Sequence, residues 1–427
     1  MNSSSLIFLF LVRLLLNKKE VIIMGVELTN DQVTAIYKGE TWYKSQTKQI
    51  FEISGPGGSG KSFLILYLIE KLGLKLDQVL FVAYMGKACS RLIQSGLPAK
   101  TIHSAIYDYE KVIARDKDGK IIYKENGRPK KIGKFVLKEK IGHGIKLIVL
   151  DEGSMVNEDI AKDLLSFNIP IIVLGDLNQL PPVFGNSFFL TNPDVILTKI
   201  MRQNENNPII YLSQQVLAGK ELHIGDYGTS SIISRDSISK NHFKKADIVL
   251  TETNRMRWNI NNYFREQLKE IKQLDYPHKN EKVICRKNNW SRSINYKKID
   301  MYMTNGMTGF VDMLDRSTYD KKSMIMDFRP DFSKKVFKNV RFNYKYMYAM
   351  PTTSLDETDS KSIKDDINDY LMDRFEYAYA ITVHLSQGSQ MDKVLYLHEG
   401  MMRNKEDNKK LMYTAITRAV SSITIVI

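Results

Sequence analysis

From about residue 24 to 200, short apolar runs alternate with longer stretches whose apolar positions recur every three or four residues. The runs are "KQIFEIS" (48–54), "QVLFVAYM" (78–85), "IKLIVLDE" (145–152) and "IPIIVLGD" (169–176). Helical spacing follows in "KSFLILYLIEKLG" (61–73) and "GKACSRLIQSG" (86–96). Continuous apolar strands alternating with helices predict a parallel sheet covered on both faces. A second α/β group is predicted from "ADIVLTET" (246–253), the helix-like 255–270, "YAYAITV" (377–383), "KVLYLHE" (393–399), the helix-like 410–419 and "SSITIVI" (421–427). Between the groups, residues 283–370 lack this alternation and are rich in Lys, Asn and Tyr, which predicts a small β-rich insertion.

Three of the predicted strands end in polar residues that carry chemistry. The first runs into "GPGGSGKS" (55–62), which fits G-x-x-x-x-G-K-[ST] between a strand and a helix. Gly55, Gly57, Gly58, Ser59 and Gly60 let backbone N–H groups approach phosphate oxygens at a helix N-terminus. Lys61 would neutralise β- and γ-phosphate charge, and Ser62 would hold Mg²⁺. The strand "LIVLDE" ends in two acids, Asp151 to bind Mg²⁺ through water and Glu152 to polarise the attacking water. The third, "IVLGDLNQLPPV" (172–183), ends at the same rim, where Gln179 could reach the γ-phosphate. A plain turn also explains Gly, Asp and Asn there.

Charge adds a partner class. The chain of 427 residues has net charge +14, which favours a polyanion such as nucleic acid. Half of that excess lies in residues 111–140, where eleven Lys/Arg meet four Asp/Glu. Asp118-Gly119 and Asn126-Gly127 there are favoured hairpin turns, so the stretch reads as a basic β-hairpin beside a nucleic-acid strand, or as a solvated loop. Two cysteines are too few for a disulfide framework or a four-ligand zinc site and suit a reducing cytoplasm. "LIFLFLVRLLL" (6–16) is too short to span a membrane, and Met24 reads as a natural start, so residues 1–23 are expected to lie outside the fold.

The ordered set "LTNDQ" (28–32), "GPGGSGKS", "DEGS", "GDLNQLPP", "MRQ" (201–203), "VHLSQG" (383–388) and "YTAITRA" (413–419) resembles superfamily 1 helicases. Within them it looks like the RecD-like branch, closest to the Dda type. The resemblance implies two RecA-like P-loop domains with ATP in the cleft between them. The first would span 24–200, with 111–140 as a strand-separating pin. The second would be split into 201–282 and 371–427 around an SH3-like insertion, 283–370. It further implies that Gln32 reads the adenine edge, and that Arg202 and Arg418 act as arginine fingers. Gly388 falls with the nucleotide-binding set, while Lys87, Thr101, His103, Arg257, Asn261, His384, Ser386 and Gln387 match segments that face DNA. Met85 and Leu385 depart from the pattern, where a threonine and a lysine are usual. Phe342, Tyr344, Tyr346 and Tyr348 would share one strand face, as base-stacking rings or as the inside of a barrel.

The expected protein is a monomeric, ATP- and Mg²⁺-dependent helicase moving 5′ to 3′ on single-stranded DNA and opening forked DNA in replication, recombination or repair. Replication or single-strand-binding proteins are its expected protein partners, with no stable membrane association. An RNA helicase of the same superfamily is the alternative. An ATP-switched binding protein that does not unwind is the other, against which the two fingers and the hairpin speak.

Overall fold

The computed structural model describes residues 28–116, 118–123, 127–129, 131–181, 186–200, 207–272, 276–315, 323–347, 372–400 and 404–427. The expectations for residues 1–23, Arg202 and Tyr348 lie outside them. The chain opens with helix α1 (Asn30–Ser45), capped by Thr29, whose hydroxyl accepts from the Gln32 amide while Gln32 bonds back to the Thr29 N–H. Strands β1 (Ile50–Ser54), β2 (Val79–Ala83) and β3 (Ala99–Thr101) follow, separated by α2 (Lys61–Lys71) and α3 (Gly86–Gln94). After α4 (Ile102–Ile106) the chain leaves the sheet as an antiparallel hairpin, β4 (Tyr107–Ile113) and β5 (Lys131–Leu137). It returns as β6 (Leu147–Asp151), α5 (Glu158–Leu165), β7 (Ile171–Gly175) and β8 (Val195–Ile196).

The sheet order is β3-β2-β6-β7-β1-β8, with every pair parallel. Every residue of β6 and β7 is buried, because the two faces feed two cores. Leu147, Val149, Ile172 and Leu174 join residues of α1, α2 and α3. Ile148, Leu150, Ile171 and Val173 join residues of α4 and α5. Apolar runs without alternation are what such a doubly covered sheet requires.

The second sheet contains β9 (Gly225–Tyr227), β10 (Ser230–Ile233) and β11 (Ile248–Thr251), with α6 (Pro208–Leu217) before them and α7 (Asn254–Tyr263) after β11. The chain then departs into antiparallel structure. A five-stranded sheet is built from β12 (Lys282–Cys285), β15 (Thr308–Asp315), β16 (Ser323–Pro330), β17 (Phe337–Asn343) and β18 (Phe375–Tyr377), and β13 (Asn289–Tyr296) pairs with β14 (Ile299–Met303) as a ribbon. Finally β19 (Ala380–Thr382), β20 (Met391–Leu397), α8 (Lys405–Ile416) and β21 (Ala419–Val426) complete the second sheet in the order β19-β11-β20-β21-β10-β9.

Two local expectations are corrected. The hairpin begins at Tyr107, paired with Leu137, rather than at residue 111. Phe342, Tyr344 and Tyr346 do not share a strand face, because β17 stops at Asn343. The Asn343 side chain accepts from the Lys345 N–H at 3.0 Å and turns the chain into a 3₁₀ helix, Tyr344–Met347. Phe342 is fully buried against Phe375, so it belongs to the insertion's core. Among the described residues no helix is long and apolar enough to cross a membrane.

Candidate functional site

Strands β6, β7 and β1 are neighbours and parallel, so Asp151, Gly175 and Ser54 end at one rim. There Gly60 takes a left-handed conformation (φ 86°) that leads straight into α2, and a Cβ on it would lie 2.6 Å from Gln32 Nε2. Lys61 Nζ donates to the Gly55 carbonyl and, at 3.0 Å, to that of Pro56. Burial lowers its pKa, while the carboxylates of Asp176, Glu152 and Asp151 act in the opposite sense. The buried Ser59 hydroxyl has no partner among the described residues. A glycine loop, a lysine, an unsatisfied hydroxyl and two acids at one rim fit a nucleotide phosphate with a divalent ion. Ser62 and Asp151 would hold that ion.

The acids carry a neighbour that sequence reading missed. Asp151 and Glu152 are 4% and 7% exposed, and Arg91 Nη2 from α3 reaches Asp151 Oδ2 at 3.1 Å and Glu152 Oε1 at 3.4 Å. Burial alone would lower the Arg91 guanidinium, but the two carboxylates outweigh it and raise it. Glu152 itself has φ 55° and ψ 43°, a left-handed conformation rare for a residue with a side chain.

The unusual end of β7 is where the second sheet docks. Asp176, 1% exposed, accepts from Tyr413 Oη at 2.8 Å and from Gln179 Nε2 at 3.4 Å. Leu180 N donates to Thr414 Oγ1 at 3.1 Å, and Gln387 Nε2 donates to the Leu180 carbonyl at 2.9 Å. A plain turn would need none of these. From α8's end, Arg418 is buried and, among the described residues, donates to neutral oxygens: the carbonyls of Thr414 (3.0 Å) and Ser389 (3.2 Å), and Thr417 Oγ1 (3.2 Å). Burial lowers its pKa, Glu152 and Asp176 push it back up, and Arg91 adds to the depression. Lys61, Glu152, Gln179 and Arg418 therefore converge on one cleft.

Other expected site residues turn inward. Gln32 is occupied inside the protein, its Nε2 donating to the Ser59 carbonyl at 3.1 Å and its Oε1 accepting from Thr29 N at 3.0 Å. It braces the glycine loop instead of presenting a free amide. Asn261 bonds both backbone groups of Ala380 and the Arg257 carbonyl, which fastens α7 to β19. Arg257 is 5% exposed and paired with Glu376. Ser386 bonds the Val383 carbonyl, and Gly388 (φ 70°) faces Ala88 rather than the glycine loop, a Cβ there lying 3.2 Å from the Ala88 Cβ. His384 lies beside them, its pKa lowered by burial.

A different surface is left open. A cavity of about 290 Å³ is lined by Ser90, Thr101, His103, Phe135, Trp290 and Tyr302 among others. Thr101 caps α4 through Ser104 N, and His103 sits among Tyr84, Tyr107 and Phe135, its pKa lowered by burial. Lys87 is half-buried, its Nζ 3.5 Å from Thr308 Oγ1, and burial lowers its pKa to about 8. Met85 stands at the α3 N-cap and makes no side-chain cap bond, the local consequence of losing a threonine there.

Residues 27–236 match a family described as an AAA domain, and residues 377–426 match the UvrD-like helicase C-terminal domain. The ATP-dependent DNA helicase Pif1 of Campylobacter jejuni is 24% identical over 419 residues, covering 87% of each chain. The crystal structure of Pif1 helicase from Bacteroides in complex with ADP-AlF3 and ssDNA shares 18% identity and superposes with a TM-score of 0.52 over 94% of this chain and 92% of that one. A structure of two coordinating Pif1 helicases unwinding forked dsDNA gives 17% identity and a TM-score of 0.51 over the same shares. By sequence and by fold the chain is similar to Pif1-like superfamily 1 helicases. Its two sheets, parallel throughout except for the β9–β10 pair, match the RecA-like domains of the Pif1 fold. In this Pif1-like frame, Arg91, Tyr413 and Thr414 are the site neighbours that no local pattern revealed. "YTAITRA" marked the segment of the last two without their partners, which lie more than 230 residues away.

Proposed function

We propose that this protein is an ATP- and Mg²⁺-dependent DNA helicase of the RecD-like branch, near the Dda type, that moves 5′ to 3′ on single-stranded DNA and unwinds forks. The observation that carries the reading is Arg418, a buried cation from the second sheet held, among the described residues, by neutral oxygens and facing the acids of the first. Burying an uncompensated guanidinium is costly unless an anion completes its surroundings, and phosphate is the anion the opposite lip is built for. Such a finger contributes about 10³–10⁵ in rate where measured in GTPases.

In this reading Lys61 and Arg418 stabilise charge on the transferred phosphoryl group, Glu152 takes a proton from the attacking water, and Gln179 reports the γ-phosphate to the second lobe through Asp176 and Tyr413. Arg202 supplies a second finger. Bound ATP would provide the hydrolysable bond, with Mg²⁺ held by Ser62 and Asp151. Residues 24–200 form one RecA-like domain, and 201–282 with 371–427 form the other. The insertion serves as an SH3-like module and the hairpin as the pin. The strand would pass the cavity at Thr101 and His103, between the hairpin's base and Trp290, with Lys87 on the helix that borders it. The Pif1 structures above, described with ssDNA and with forked dsDNA, support DNA as the partner. A protein of this kind works in replication, recombination or repair beside single-strand-binding proteins.

The test is strand displacement on partial duplexes with a 5′ or a 3′ tail, in DNA and in RNA. Unwinding of the 5′-tailed DNA with little of the 3′-tailed is expected. Preference for the 3′ tail would refute the branch assignment, and preference for RNA the substrate.

A further inference from the structure

We propose that Arg91 is a positioning residue through which strand binding reaches the catalytic carboxylates; the inference rests on the helicase reading above. One nitrogen, Nη2, serves both acids, at 3.1 Å to Asp151 and 3.4 Å to Glu152. Asp151 Oδ1 is taken by Glu152 N at 3.1 Å, so Glu152 Oε2 is the oxygen left to receive a proton. A displacement of Nη2 by a few tenths of an ångström changes both contacts and re-aims that oxygen.

The helix that carries Arg91 touches everything a strand would move. On α3, Lys87 and Arg91 stand four residues apart, about one turn. At its start, a Cβ on Gly86 would lie 2.2 Å from Thr304 Cβ, so the helix backbone rests directly on the insertion. Lys87 reaches Thr308 of the insertion, and Ala88 meets Gly388 of the second lobe. Ser90 and Ile93 line the cavity shared with Thr101, His103, Trp290 and Tyr302. A nine-residue helix gripped at these points moves as one body. A strand that displaces α3 from the cavity side must displace Arg91 at the acids.

An ordinary ion pair that only fastens α3 would predict loss of stability without loss of coupling. The discriminating measurement is the affinity of a fluorescent, non-hydrolysable ATP analogue with Mg²⁺, with and without oligo-dT, alongside ATPase with and without oligo-dT. In the native chain, oligo-dT should change analogue affinity by a factor within the usual coupling range of about 5–150. Arg91→Ala should bring that factor close to one and lower the stimulated-to-basal ATPase ratio toward one. Arg91→Lys should restore part of it, because the charge returns without the planar fork. An unchanged coupling factor in Arg91→Ala, or basal and stimulated rates falling together with thermal stability in both variants, would overturn the proposal. No stimulation by oligo-dT in the native chain would instead overturn the helicase reading beneath it.

Discussion

Tyr413 donates its phenolic hydrogen to Asp176 across 2.8 Å, which joins the last helix of one sheet to the end of a central strand of the other. Both are 1% exposed, and burial followed by the Asp176 charge raises the tyrosine's pKa well above its ordinary value. Removing the hydroxyl in Tyr413→Phe leaves Asp176 Oδ2 with only the 3.4 Å contact from Gln179. The expected cost is about 1–3 kcal/mol, as for any buried acceptor that loses its donor. Urea unfolding should show that loss. Steady-state kinetics should show a lower kcat with nucleotide affinity kept, since the glycine loop is untouched.

Chemistry and strand binding should separate at the phosphate site. Lys61→Ala is expected to abolish ATP turnover while single-strand affinity, measured by fluorescence anisotropy, stays nearly intact. Glu152→Gln should still bind ATP and turn it over at least ~10²-fold more slowly. Full activity in either variant would overturn the site.

Lys87 gives a pH dependence whose sign follows from its neighbourhood. Burial holds its pKa at about 8, below the ordinary value for lysine. Its charge is therefore present below pH 8 and lost above it. A strand phosphate placed beside it raises the pKa again, so binding above pH 8 takes up a proton and affinity falls as pH rises through that value. Lys87→Arg, which stays charged throughout, should flatten the curve in a strand-binding titration from pH 7 to 9.5.

Shortening the hairpin to a tight turn between Ile113 and Lys131, the last pair of the β4–β5 register, should leave strand-stimulated ATPase substantial and cut duplex unwinding sharply. The hairpin lies away from the phosphate rim, so a wedge there acts on strands alone. Equal losses in both assays would indicate a general binding or structural part.

The periodic features were legible because they are local. Apolar runs located the central strands, and Asp118-Gly119 and Asn126-Gly127 located the hairpin, whose turn glycines have φ of 80° and 73°. The glycine loop and the two acids were legible as strand endings. Arg91, Tyr413 and Thr414 were not, since their partners lie 60 or more residues away and nothing in spacing marks them. Asn261 and Gly388 are assigned to ligands through the family resemblance of their segments, which carries over positions and not contacts. Only three dimensions show that Asn261 is spent on Ala380 and that Gly388 faces Ala88. The tyrosines after Phe342 broke the alternation because one asparagine side chain outcompeted the ladder.

The contact between Gly388 and Ala88 sets how the two lobes can turn. An added methyl at 388 would come within 3.2 Å of the Ala88 Cβ, 3.4 Å of its amide nitrogen and 3.5 Å of its Cα, so two main chains meet there with only the alanine methyl beside them. Such a junction has no rotamers to yield. It acts as a fulcrum: the surfaces can roll on each other, whereas a slide would drive one backbone into the other. Arg91, which holds the acids, lies three residues along the same helix, and the ring-lined cavity opens on its flank. Both are short lever arms from that point, so the same small rotation is delivered to each.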